Sequence, residues 1–95
     1  MVKHVVMWRL HQNNPENRLR IIDLLNKLPA LIPELKSLEV GEDFNRGPVA
    51  FDLVLITEHD NKAGLEKYKK HPEHVSVAKR ITELAKERVV VDFDC

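Results

Sequence analysis

Three of the four extended segments in this sequence are apolar on both sides, and no other feature limits the fold so sharply. Side chains alternate between faces along a strand. In residues 2–10, Val5 and Met7 lie on one face and Val6, Trp8 and Leu10 on the other. In residues 49–57, Phe51, Leu53 and Leu55 oppose Val54 and Ile56. In residues 89–93, Val89, Val91 and Phe93 oppose Val90. A sheet with one face in water would alternate apolar and polar residues instead. This sheet needs cover on both sides.

Helices supply the first cover. Asn14-Pro15 starts a helix, with Asn14 as N-cap and Pro15 at the first helical position. Leu19, Ile22, Leu25 and Leu28 then recur at helical spacing, thickened by Ile21 and Leu24. Pro29 ends that helix. A short turn at residues 32–35 leads to a strand expected over 37–44, and Asn45-Arg46-Gly47-Pro48 marks a hairpin-type loop. Asp60 is expected to cap a second helix that carries Leu65 and Tyr68 inward. Pro72 breaks it and starts a third, with Val75, Ala78, Ile81, Leu84 and Ala85 as the expected apolar face.

The order β-α-β-β-α-β describes one α+β domain over residues 1–95. It is a ferredoxin-like protomer, an antiparallel four-stranded sheet with helices on one face. The other face stays bare. A second copy packed sheet on sheet about a two-fold axis covers it, so a homodimer is expected. The alternative cover is the chain's own long loops.

Composition narrows the partners. Fifteen Lys and Arg balance fifteen Asp and Glu, so no electrostatic footprint for nucleic acid or an anionic membrane exists. No run of roughly 18 apolar residues offers a membrane span. No secretory signal opens the chain. The lone cysteine, Cys95, excludes an intramolecular disulfide, and a reducing cytoplasm is the expected compartment.

Polar residues inside apolar runs need partners. His4 shares a face with Val6 and Trp8; Asp52 shares one with Val54; Asp92 shares one with Val90. The helix side is expected to take Val5, Met7, Phe51, Leu53, Leu55, Val91 and Phe93. His4, Val6, Trp8, Asp52 and Asp92 then face the chamber between two sheets, a candidate small-ligand pocket. The corner Tyr68-Lys69-Lys70-His71-Pro72-Glu73-His74 brings Tyr68 and His74 to one end of the sheet, with His71 beside them. The expected chemistry is acid–base work on a small carbonyl compound. His74 is the base, Asp92 orients it, and Tyr68 donates to an oxyanion.

Each residue also has a plainer reading. His4, Asp52 and Asp92 could be interface hydrogen-bonding groups, Trp8 dimer core, His71 a helix N-cap, and Tyr68 the inward residue of a short helix. In that case the protein is a non-catalytic, stress-related dimer. His71-x-x-His74 lacks a third ligand, and no phosphate-cradling glycine loop is present, so no metal or cofactor is expected.

The opening Val2-Lys3-His4-Val5-Val6, Leu38-Glu39-Val40-Gly41 with Phe51-Asp52-Leu53, the Tyr68-to-Val75 corner and Val91-Asp92-Phe93 together resemble the stress-responsive A/B barrel (Dabb) family. The resemblance implies a dimeric α+β barrel of ferredoxin-like protomers. The family is functionally mixed and includes a plant polyketide cyclase that closes its ring by an aldol reaction without a metal or organic cofactor. By that resemblance the cyclase's catalytic tyrosine and histidine fall on Tyr68 and His74. Its N-terminal pocket histidine falls on His4, and a C-terminal aspartate on Asp92. Its other pocket histidine falls on Asp52. That departure replaces a possible cation with an anion, and the cyclase's substrate is not carried over.

Overall fold

In the computed structural model, which describes all 95 residues, Asn14 and Pro15 act as read. The Asn14 side chain accepts the Asn17 N–H at 2.8 Å, closing an orphan donor of helix α1 (Pro15–Asn26). Strand β1 (Val2–Leu10) precedes it, and a 3₁₀ turn at Leu28–Ala30 follows. Strands β2 (Ser37–Glu42) and β3 (Leu53–His59) come next, then α2 (Lys62–Lys70), α3 (Pro72–Leu84) and β4 (Ala85–Asp94). The sheet order is β2-β3-β1-β4 with every pairing antiparallel. This is the expected ferredoxin-like arrangement. No helix is long and apolar enough to cross a membrane.

Several boundaries differ from expectation. Residues 49–52 belong to a loop, and β3 runs on to His59. Asp43 holds that loop by accepting the N–H groups of Asn45 and Arg46, and its own N–H donates to the Asp52 carbonyl. Helix α2 is capped by Asn61, whose side chain accepts the Gly64 N–H at 2.8 Å, rather than by Asp60. The stripe of α1 is Ile21, Leu25 and then Leu28, and Leu19 is exposed. The stripe of α3 is Val77 and Ile81 with Ala78 beside them, and Val75 is exposed.

The larger correction concerns the faces. Direct partners in an antiparallel pair share a face. Val6 pairs with Leu55 and Trp8 with Leu53, so the even residues of β1 share the helix-covered face with the odd residues of β3. His4 pairs with Asp92, which puts Asp92 there too. Val5 pairs with Ile56 and Val91, and Met7 with Val54 and Val89. Those residues, with Phe93, form the open face. The expectation holds for Leu53 and Leu55 and is inverted for β1 and β4. His4, Val6 and Trp8 are buried beneath the helices, not between two sheets, and Trp8 belongs to the protomer's own core. The open face remains apolar, with Met7 38% and Val91 60% exposed.

Candidate functional site

Between the sheet and helices α2 and α3 lies a cavity of about 260 Å³. His4, Val6 and Trp8 of β1, Tyr68 of α2 and His74 of α3 all line it. Five residues read as site candidates therefore meet, on the helix side of a single protomer. Two do not line it. Asp52 precedes β3, where its carboxylate accepts the Leu10 N–H at 2.8 Å and its own N–H donates to the Trp8 carbonyl. It ties down the end of β1. His71 caps α3, its Nδ1 accepting the Glu73 N–H at 3.1 Å.

The corner between the helices explains how His74 is aimed. In a continuous helix, Pro72 would donate to the Tyr68 carbonyl and Glu73 to that of Lys69. Proline has no N–H, so the Tyr68 carbonyl takes the His71 N–H at 3.2 Å. His71 takes the Glu73 N–H. The Lys69 carbonyl is left without a backbone donor, and His74 Nδ1 lies 3.0 Å from it. A carbonyl only accepts, so Nδ1 carries the proton. Burial holds the ring below the ordinary 6.5, so it is neutral at pH 7. Its Nε2 then keeps a free lone pair. The expected orienting carboxylate, Asp92, does not touch His74; the Lys69 carbonyl has that role.

Asp92 serves His4 instead. His4 Nδ1 donates to Asp92 Oδ1 at 2.5 Å, and Lys69 Nζ lies 3.4 Å from Oδ2. Burial drives His4 below the ordinary imidazole value and outweighs the carboxylate's opposing pull. Burial also pushes Asp92 up, but its hydrogen bond and charge interaction with His4, together with Lys69, hold it below the carboxylate norm. The pair is a neutral imidazole donating to a carboxylate.

Tyr68 sits at the centre. Its ring centroid is 4.5 Å from that of His74, 4.7 Å from His59 and 6.3 Å from His4. The residue is fully buried, and its hydroxyl is the buried side-chain polar atom without a hydrogen-bond partner. Burial pushes its pKa up to about 12, so it stays a phenol. An unsatisfied buried hydroxyl costs about 1–3 kcal/mol. A phenol donor without an acceptor stands beside a neutral base with an open lone pair.

His59 escaped the sequence reading. Its Nδ1 donates to the Glu34 carbonyl and its Nε2 accepts from the Thr57 hydroxyl, each at 2.9 Å. Counting in twos from Leu53 reaches it only if β3 continues past Thr57. Arg88, also missed, lines the cavity from β4.

Two buried histidines, His4 and His59, and the half-buried His74, all held below 6.5, fix a pH dependence. Above pH 6.5 both folded and unfolded chains keep them neutral. Below it the unfolded chain takes up protons that the folded chain refuses, so stability falls. Thermal melts from pH 8 to pH 5 should show Tm level at the alkaline end and dropping below about 6.5. A His59→Gln variant should show a shallower drop. A Tm unchanged down to pH 5 would contradict the buried neutral assignment.

The sequence model described as the Stress responsive A/B Barrel Domain matches residues 2–95. Among solved structures, a dimeric ferredoxin-like protein of unknown function from Thermobifida fusca superposes with TM-score 0.88 at 29% identity, covering 99% of this chain and 90% of that one. A dimeric protein of unknown function and ferredoxin-like fold from Bacteroides fragilis gives 0.84 at 32% identity, covering 99% and 95%. A hydroxynitrile lyase from Passiflora edulis gives 0.83 at 22%, covering 97% and 90%. No protein of curated function matches the sequence.

Proposed function

The chain belongs to the stress responsive A/B barrel family, and we propose that it acts as a homodimer with one small-ligand cavity per protomer, performing cofactor-independent acid–base chemistry on a small carbonyl compound. The observation that carries this reading is the unpaired Tyr68 hydroxyl beside the neutral His74 imidazole on one cavity. His74 Nε2 removes a proton α to the carbonyl. The C–H electron pair becomes the enolate double bond, and the carbonyl π pair moves to oxygen. Tyr68 O–H donates to that oxyanion. His4, fixed by Asp92, is a second neutral imidazole on the same wall.

Two further points support the reading. The Passiflora lyase is an enzyme built on this fold. Against the alternative, in which the polar residues stabilise the dimer, stands the position of His4 and Asp92 on the face opposite the bare apolar one. The homodimer rests on that bare face and on the dimeric Thermobifida and Bacteroides proteins.

The test is α-proton exchange in D₂O, followed by NMR on small neutral aldehydes and ketones such as 3-methylbutanal and 4-methylpentan-2-one. Wild type should exchange them faster than buffer. Tyr68→Phe should lower the rate by about 10²-fold, the loss typical of one oxyanion donor. The same variant removes an unsatisfied hydroxyl, so its Tm should rise by a few degrees rather than fall. Exchange no faster than buffer across the panel would remove the catalytic reading.

A further inference from the structure

Among the residues lining the cavity, only Arg88 carries a permanent charge. It stands on β4 directly opposite Trp8, on the helix side of the sheet. The β4 strand is an edge, and edges carry charges that discourage pairing with other chains. Lys86 and Glu87 on the same strand do not line the cavity; Arg88 does. Its guanidinium makes no hydrogen bond or ion pair with the protein, whereas Arg9 is paired with Glu87 and Arg18 with Glu42.

The other charges near the cavity are already matched. The Asp92 carboxylate is occupied by His4 on one oxygen and approached by Lys69 on the other. His4 and His74 are neutral, and the Arg88 charge helps to keep them so. The cavity therefore has an apolar body, a net positive rim and one buried hydroxyl donor without an acceptor. An unpaired guanidinium and a buried hydroxyl without an acceptor belong to residues lining one chamber.

We propose that the preferred ligands are small oxo acids, with the carboxylate held by Arg88 at the rim and the carbonyl oxygen by Tyr68. This rests on the reading of the cavity as a carbonyl-binding site and adds the anionic group to it. Size fits the class. A volume of about 260 Å³ equals that of roughly nine waters at ~30 Å³ each, room for a ligand of about nine heavy atoms. Val6, Leu55, Val77 and Ile81 suit a branched aliphatic tail.

The test compares 4-methyl-2-oxopentanoate with its amide, 4-methyl-2-oxopentanamide, an isosteric neutral partner. Both are titrated against the whole protein by calorimetry. At low salt the acid should bind at least ~10-fold more tightly, the factor expected of one charge-assisted contact. The preference should shrink as salt is added. Arg88→Met should bring the ratio close to 1 and leave the amide's affinity unchanged. Arg88→Lys should retain part of the preference. Because Arg88 has no protein partner, both variants should keep the parent Tm. Equal affinities, a preference that survives Arg88→Met, or no saturable binding of the acid would each overturn the proposal. Neutral carbonyl compounds that exchange α-protons without any acid preference would sink this inference and leave the acid–base reading intact.

Discussion

His74→Asn should reduce α-proton exchange by at least about 10²-fold, within the 10²–10⁴ range of a lost general base, while the protein stays folded. Asparagine is chosen because its amide N–H can still donate to the Lys69 carbonyl that His74 Nδ1 now occupies. The orphan carbonyl keeps a donor and only the basic lone pair is lost. His74→Ala removes both and leaves space against the Tyr68 ring, 4.5 Å away centroid to centroid. It should match the asparagine variant in rate but melt several degrees lower. The pH profile gives a second readout that a structural role would not move. His74 is held below 6.5 by burial, so the rate should rise with pH at the acid end and be level by about pH 6.5. An ordinary solvent-exposed imidazole would level off later. If His74→Asn keeps more than a tenth of the rate, the base is elsewhere, and His4 is the next imidazole on the same wall.

The cavity was legible in the sequence where local chemistry fixes it. Pro72, lacking an N–H, cannot continue the helix before it without a break, and His71 before it is a natural cap. That corner brings Tyr68 and His74 together without knowledge of the rest of the chain. Asn14 and Pro15 are legible for the same reason. The faces of β1 and β4 were not. Polar–apolar alternation reveals which side of a strand is covered only when one side meets water. Here Val5 and Met7 are as apolar as Val6 and Trp8, so the pattern is silent. Long-range register decides it, through Val5 opposite Ile56 and His4 opposite Asp92. The same register gives Asp92 to His4 rather than to His74. Leu19 and Val75 show a related limit: a helix with apolar residues around much of its circumference fits more than one stripe.

Met7→Glu should convert the dimer to monomers, with the dissociation constant raised by about 10³-fold or more. Met7 lies on the central strand of the open face, between Val54 and Val89, and next to the row formed by Ile56, Val5 and Val91. It is 38% exposed in the single chain, so a longer polar side chain there meets solvent when the protomer is alone. In a two-fold dimer packed through this face the substitution enters twice. Two unpaired carboxylates leave water together, each at a cost of several kcal/mol. Each ~1.4 kcal/mol is tenfold in the dissociation constant, which sets the factor. Sedimentation equilibrium at micromolar concentration should find the parent at twice the chain mass and the variant at one. A parent that sediments as one chain, or a Met7→Glu protein that stays paired, would show that the open face is not the interface. The monomeric variant also separates association from chemistry. Its cavity lies on the helix side of the sheet, opposite the open face. At temperatures where the lone protomer is folded, it should therefore retain α-proton exchange within a few-fold of the dimer. A site built between two sheets would lose it altogether.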